Sequence, residues 1–234
     1  MIKYHKNQYK KIYRSTKLFL KFIENQEKIN GKTIIDVGCG AGANTLYMAK
    51  SFKKSKIIGL DKDRELINHA NKIVKINKIK NCEFYNCDIK QIKKIRKKIP
   101  RKIDIVLSFH VMSFLDIWYD EFLKKTIQLN PKTIAHSSLF YDGFAELKIY
   151  ASDFSKNDFN GSYYNIFSFK KIEDFLKKRN FYNFKKKIME IDINLKKPKH
   201  GGMGSYTLNL KNNKKILKSG PISLPWGYFY SRKN

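Results

Sequence analysis

Cysteine is scarce in this sequence: Cys39, Cys82 and Cys87 are the only three, and no two form a C-x-x-C pair. An odd count without that spacing argues against a disulfide framework and against a structural zinc site, so reduced thiols and no bound metal are expected. Long apolar runs are missing as well. No stretch approaches the roughly 20 residues that cross a bilayer, and the opening Met1-Ile2-Lys3-Tyr4-His5-Lys6 has no apolar secretory segment. A cytoplasmic protein without a membrane partner is expected. Arginine is rare too. It occurs only at positions 14, 64, 96, 101, 179 and 232, so of 49 basic residues 6 are Arg and 43 are Lys. Acidic residues number 20, which leaves a net charge of +29.

That charge points towards phosphate-rich partners, but its make-up does not. Readers of base edges and phosphates favour the planar guanidinium fork, whereas lysine here accompanies abundant Asn, Ile, Phe and Tyr. A bias towards A/T-rich codons that coats solvated faces accounts for this composition. A surface that tracks phosphate or draws in an acidic substrate remains the alternative.

Hydrophobic residues make up 42% of the 234 residues and aromatics 14%, enough for one domain with a sizeable core. Residues 1–30 carry apolar positions at helical spacing (Tyr9, Ile12, Tyr13, Leu18, Phe19, Phe22, Ile23) and predict one or two helices forming a cap, ended by Asn30-Gly31. From residue 31 to 234 a single domain is expected. Strands are predicted at Thr33–Val37, Lys56–Leu60, Cys82–Tyr85, Ile103–Phe109 and Thr133–Phe140. Between them lie helices at Asn44–Phe52, Asp63–Ile76, Ile89–Ile99 and Asp116–Leu129. Such alternation gives a doubly wound parallel sheet, with ligands at the carboxyl ends of its strands. Residues 141–167 read as an irregular, aromatic-rich insertion after strand five. A helix follows at Phe169–Lys178, then a strand at Asn183–Ile193, a hairpin over 204–217 around Asn212-Asn213, and a last strand at Ser223–Ser231.

The chemistry is concentrated in Asp36-Val37-Gly38-Cys39-Gly40-Ala41-Gly42, where a strand runs into alternating glycines and then a helix. Bare backbone there lets a ligand approach closely, and the helix N-terminus favours a carboxylate or phosphate. Gly38-x-Gly40-x-x-Ala43 also fits the dinucleotide fingerprint, with Asp61 at the right distance for ribose hydroxyls. Asp36 separates the two readings. A carboxylate at that position holds the ammonium of a bound amino acid, which S-adenosylmethionine has and NAD lacks.

At these residues the chain resembles the class I S-adenosylmethionine-dependent methyltransferases. The first motif is the Asp36–Gly42 segment. Ile57-Ile58-Gly59-Leu60-Asp61 resembles the second strand, whose terminal acid binds both ribose hydroxyls. Asn86-Cys87-Asp88-Ile89 resembles the segment whose acid and following N–H meet adenine, and Ile103–His110 resembles the fourth strand with its post-strand motif. The resemblance covers about residues 33–138 and implies an α/β fold: a mostly parallel, doubly wound, seven-stranded sheet with an antiparallel last strand, N-terminal helices and an insertion after strand five. It implies S-adenosylmethionine as cofactor, held by Asp36, Gly38, Cys39, Gly40, Gly42, Asp61, Lys62, Asp88, Ile89 and Ser108. Lys62 stands where an apolar residue often lies against adenine, and its aliphatic stem would cover the ring.

The sulfonium methyl is already activated, so the protein must chiefly place a nucleophile in line with it. Where the acceptor is a hydroxyl or ammonium, a base is also needed. His110, after the fourth strand, is the first candidate, and His136, on the fifth, the second. Tyr141, Asp142, Tyr163, Tyr164 and Asn165 of the insertion are candidate acceptor contacts. Tyr4, Tyr9 and Tyr13 are candidates for a lid or for core packing. The amino-methylating nucleic-acid enzymes carry Asn/Asp-Pro-Pro-Tyr after the fourth strand, where this chain has Ser108-Phe109-His110-Val111. Arsenite chemistry needs thiols that three scattered cysteines do not provide. The insertion over 141–167 and the hairpin over 204–217 read as substrate-side elaborations that enclose a modest polar molecule, so a small polar acceptor, metabolite or sugar-like and anionic in view of the charge, is favoured, with the chain acting as a monomer or homodimer. The alternatives are an RNA- or protein-directed methyltransferase using the basic surface, and a non-catalytic or NAD-dependent protein.

Overall fold

A computed structural model describes residues 3–153, 161–199 and 202–233, without the side chains of residues 3, 4 and 6. The side chain of Tyr4 therefore lies outside the described residues. In chain order the principal elements are α1 (Lys3–Lys10), α2 (Arg14–Glu24), β1 (Thr33–Val37), α3 (Ala43–Ser51), β2 (Lys56–Asp61), α4 (Arg64–Ile76), β3 (Cys82–Asn86), β4 (Ile103–Phe109), α5 (Tyr119–Ile127), β5 (Pro131–Tyr141), α6 (Phe169–Lys177), β6 (Phe181–Ile188) and β7 (Trp226–Lys233). The sheet order is β3-β2-β1-β4-β5-β7-β6. Strands β1 to β5 pair in parallel, and β7 inserts antiparallel to both β5 and β6. This is the seven-stranded α/β architecture that the sequence implies.

Side-chain alternation splits the sheet into two cores. Ile34 of β1 faces a cluster with Phe19 and Phe22 of α2, Met48 of α3 and Ile67 of α4. Ile35 and Val37 face the other way, against Phe122 of α5, Ile172 of α6 and Phe229 of β7. Asp36 shares the parity of Ile34 and so lies beneath α3. β4 is buried along its whole length, as a central parallel strand covered on both faces must be.

Several boundaries differ from expectation, each for a local reason. Residues Ile89–Lys97 form 3-10 turns rather than a regular α-helix, with Gln91 off helical geometry (φ -112°, ψ 21°). Helix α5 starts at Tyr119 rather than at Asp116, with Asp120 and Glu121 in its first turn, where acids complement the helix dipole. Strand β6 ends at Ile188 rather than Ile193; the Met189 N–H still donates to the Trp226 carbonyl at 2.8 Å, and residues 190–195 leave the sheet. Strand β7 starts at Trp226 because Pro225 has no N–H to donate; its carbonyl instead accepts from the Phe140 N–H at 2.9 Å. The insertion after β5 contains a two-stranded ribbon, Tyr150–Ala151 with Ser162–Tyr163. The 205–209 and 215–219 strands form the expected hairpin, and Ile222–Ser223 adds a third strand.

Phe229 is fully buried, stacked on Phe184 at 5.6 Å and edge-on to Phe140 at 5.7 Å. Phe229→Ala should lower stability by about 3–5 kcal/mol, read by chemical denaturation. A loss below about 1 kcal/mol would contradict this packing.

Candidate active site

The carboxyl ends of β1, β2 and β4 meet at the glycine loop. Gly42 caps α3 at φ 87°, and a Cβ there would sit 2.5 Å from the Phe84 ring, so only glycine fits. No side chain caps α3, leaving its first N–H groups to a ligand. Asp61 holds the loop: one carboxylate oxygen accepts from the Gly40 N–H at 2.7 Å and the other from the Asp63 N–H at 2.9 Å. Each oxygen keeps a second lone pair for a hydroxyl. The Asn86 amide donates to the Asp61 and Lys62 carbonyls at 3.1 and 2.8 Å, fixing the following turn.

Two cavities open at this loop, and a third lies past the end of β4. The first, ≈ 570 Å³ with the open space at its mouth, is bounded by Gly38, Asp61, Lys62, Asp88, Ile89 and Val111, among others. It gathers five of the residues expected to bind a nucleoside. The second, ≈ 280 Å³, is lined by Asp36, Gly38, Cys39, Gly40, Asn44 and Phe109, with His5 and Gln8 of α1 closing it. Asp36 is 1% exposed. One of its oxygens accepts from the Thr45 hydroxyl at 2.7 Å and the other has no partner. Burial pushes the Asp36 carboxyl up to about 7; the Thr45 bond opposes the rise and Asp61 adds to it. Burial and the same two carboxylates hold the Cys39 thiol well above its ordinary value.

The third cavity, ≈ 1470 Å³ with its mouth, runs from α2 past His110 to Trp226 and the segment after β6. His110 adopts a left-handed backbone (φ 57°), anchored by its N–H to the Ser137 carbonyl at 3.0 Å. Its ring lies 4.2 Å from that of Trp226, and its Nε2 is buried without a partner. Burial holds the imidazole down to about 4, so it is neutral at physiological pH.

The other expected residues lie elsewhere. His136 is fully buried and edge-on to Phe122 and Phe229, at 5.3 and 5.4 Å, and burial depresses it to about 3. Its Nδ1 pairs with the Ser108 hydroxyl at 2.8 Å across the β4–β5 register, which makes both residues core members outside all three cavities. Asn165 is also fully buried. Its side-chain amide donates to the Leu115 carbonyl at 3.0 Å and its N–H to that of Ser113 at 2.9 Å, tying the insertion to the loop after β4. Tyr141 is exposed, and Asp142 pairs with Lys186. Tyr163 packs on Tyr150 at 5.0 Å. Tyr164 lies edge-on behind Phe114 at 5.4 Å, one layer outside the third cavity. Tyr9 donates its hydroxyl to the Ala41 carbonyl, laying α1 over the glycine loop, and Tyr13 lines the third cavity. His5, Gln8, Phe114 and Trp226 were not singled out from sequence. No local motif marks them, because long-range packing brings them to the site.

With this geometry in place, comparison with known proteins is decisive. A family model described as a methyltransferase domain matches residues 28–219. This chain belongs to the class I S-adenosylmethionine-dependent methyltransferases. Protein 235L of Invertebrate iridescent virus 6 is 31% identical over 94 residues, covering 40% of this chain and 32% of that protein. The chain thus spans about a third of that curated relative's length, and less of others. Among solved structures, the YcgJ protein of Bacillus subtilis superimposes with a TM-score of 0.61 at 12% identity, covering 94% of this chain and 98% of its own. Haemonchus contortus phosphoethanolamine N-methyltransferase 2, in complex with phosphomonomethylethanolamine and S-adenosylhomocysteine, gives 0.57 at 12% identity, covering 95% and 53%. At such identities the structural likeness establishes the fold.

The family's cofactor is S-adenosylmethionine, and the residues present fit it. The unpartnered Asp36 oxygen suits the ammonium of its amino-acid portion. Asp61 has free lone pairs for ribose hydroxyls, and the first cavity offers Asp88 and Ile89 to the base. Asp36→Asn should weaken S-adenosylhomocysteine binding by about 10- to 100-fold in calorimetry, the worth of a hydrogen bond to a charged group. An ammonium ligand favours the ionised carboxylate. Wild-type affinity should therefore rise from pH 6 to 8, with a proton released below about pH 7, and level off above it. Affinity that ignores pH would remove Asp36 from the ammonium site.

Proposed function

We propose that this chain transfers the methyl group of S-adenosylmethionine to a small-molecule acceptor seated in the cavity beside His110. One observation carries the proposal. Phe109, His110 and Val111, consecutive residues at the end of β4, each face a different cavity: Phe109 that of Asp36, Val111 that of Asp61 and Asp88, and His110 the third. The turn is where an amino-acid portion, a nucleoside and an acceptor come together. S-adenosylmethionine, when bound, supplies a methyl group on a positively charged sulfur. Asp36 binds its ammonium, Asp61 its ribose hydroxyls, and the bare backbone of Gly38 and Gly40 admits it closely. His110 Nε2, buried and unpartnered, accepts a hydrogen bond from the acceptor's N–H or O–H and orients the lone pair behind it. Helices α1 and α2, within residues 1–30, cap the loop and exclude water. His136 and Ser108 are left out of this machinery because the core encloses both.

An RNA-directed reading draws on the charge, but the arginines favour it little. Arg101, Arg179 and Arg232, three of the six, line neighbouring clefts with Asn130 and Lys233. Those clefts lie at the amino ends of β4 and β5. A phosphate backbone held there is about 20 Å from His110, the length of β4.

Calorimetry should show S-adenosylhomocysteine binding and no NAD binding. Incubation of methyl-labelled S-adenosylmethionine with fractionated cell extract should place the label in the low-mass fraction rather than in RNA or protein. His110→Ala should cut that transfer by about 100-fold or more while S-adenosylhomocysteine affinity stays within about twofold. Label in RNA would sink the small-molecule assignment, and tight NAD binding the methyltransferase one.

A further inference from the structure

The third cavity differs in composition from the rest of the molecule. Lysine, the source of most of the charge, lines it nowhere among the described residues. Its one lining arginine, Arg14, is ion-paired with Asp192 across the mouth, and Glu190 stands beside them. The lining residues thus count one cation against two carboxylates in a chain of net charge +29, with Lys215 outside the lining and donating to the Asp192 carbonyl at 3.4 Å. The walls are aliphatic, with Leu18, Ile191 and Leu217 among them, and the floor is aromatic. His110 lies 4.2 Å from Trp226 and Phe114 lies 5.9 Å from it on another side. Phe114 is 37% exposed, so part of its ring is free to be covered by a ligand. Such a floor suits a flat ring by offset or edge contact, and its π-faces also attract a cation. A phosphate or carboxylate would meet no unpaired cation among the lining residues and would sit next to Glu190.

Resting on the methyl-transfer function above, we propose that the acceptor is an apolar, ring-bearing molecule whose nucleophile is an amine, rather than a sugar-like or anionic metabolite. The ring lies on Phe114 and Trp226, and the nitrogen points to His110. The bound ammonium first gives one proton to solvent through the open mouth, and the nitrogen lone pair so freed forms the new N–CH₃ bond as the S–CH₃ bond breaks. The sulfur keeps the electron pair of the broken bond as a neutral thioether, and the product leaves as the methylammonium, so one proton is released overall. A buried imidazole held low in basicity serves such a nucleophile by accepting its N–H, with no need to keep a proton.

The test uses the full chain with saturating S-adenosylhomocysteine and three probes in calorimetry: 1-naphthylmethylamine, naphthalene-1-sulfonate and phosphoethanolamine. The amine should bind at least tenfold more tightly than the sulfonate, and phosphoethanolamine should not bind. Phe114→Ala should weaken the amine by about 3- to 10-fold, the worth of an aromatic contact. Glu190→Lys should narrow or reverse the preference for amine over sulfonate. Both variants should bind S-adenosylhomocysteine as the wild type does, which shows that they fold. Equal binding of amine and sulfonate, or phosphoethanolamine as the preferred probe, would overturn the proposal. So would an amine affinity unmoved by both substitutions. A chain that binds no S-adenosylhomocysteine yet still selects the amine in its absence would support the cavity's specificity while removing the methyl-transfer function on its own.

Discussion

The bond from the His110 N–H to the Ser137 carbonyl holds the chain in a conformation that a non-glycine residue rarely adopts. A left-handed residue of this kind costs on the order of 1 kcal/mol and persists where its surroundings over-determine it. Here they do: β4 is buried on both faces up to Phe109, and Trp226 packs against the imidazole. An extended residue at 110 would continue the alternation of β4 and send two of the three side chains to the same face. The left-handed turn instead lets 109, 110 and 111 face three separate cavities. The sheet, the return strand β7 and the insertion all converge on keeping that turn closed. Ser113 bonds to Ser138 of β5, and Asn165 clamps the carbonyls of Ser113 and Leu115.

Buried polar atoms without partners are costly, and several remain. Asp36 and His110 are two of them, and each borders a cavity. His136 is a third, but its free nitrogen faces Phe122 and Phe229, where no ligand can reach. An orphaned atom therefore marks a site only where open volume adjoins it. The raised Asp36 carboxyl and the lowered His110 imidazole share one cause, desolvation, and both are relieved by the same event, the arrival of polar ligand groups.

The nucleoside half of the site was legible in the sequence because its determinants are local. Asp36, the glycines and Asp61 sit at the ends of strands whose β-branched runs and following helices are visible in the residues themselves, and Asp88 follows the short strand Cys82–Asn86. Register then brings the strand ends together: Asp36 pairs with Gly59 and Asp61 with Asn86. His136 shows the limit of such reasoning. A histidine in an apolar strand is as readily a core residue, and here its Nδ1 pairs with the cross-strand Ser108 hydroxyl at 2.8 Å while its Nε2 stays unpartnered. The acceptor half was not legible. Trp226 reaches His110 only because β7 returns antiparallel along β5, and Met189–Leu195 line the cavity only because β6 stops at Ile188. Neither long-range pairing has a signature in local spacing.

Net charge was the least informative quantity, because a sum carries no positions. Asp36, Asp61, Asp88, Glu190 and Asp192, five of the 20 acids, line the three cavities at the carboxyl end of the sheet. Of the 43 lysines only Lys62 does so among the described residues, and its place is beside the nucleoside cavity rather than the acceptor's. At physiological ionic strength the field of distant lysines is screened within about 8 Å, so a ligand in these cavities responds chiefly to the nearby carboxylates. A sulfonium cofactor with a free ammonium is itself a cation, and drawing it into a strongly basic protein requires this local reversal of sign. Glu190 and Asp192, the latter ion-paired with Arg14, carry carboxylates on to the mouth of the third cavity.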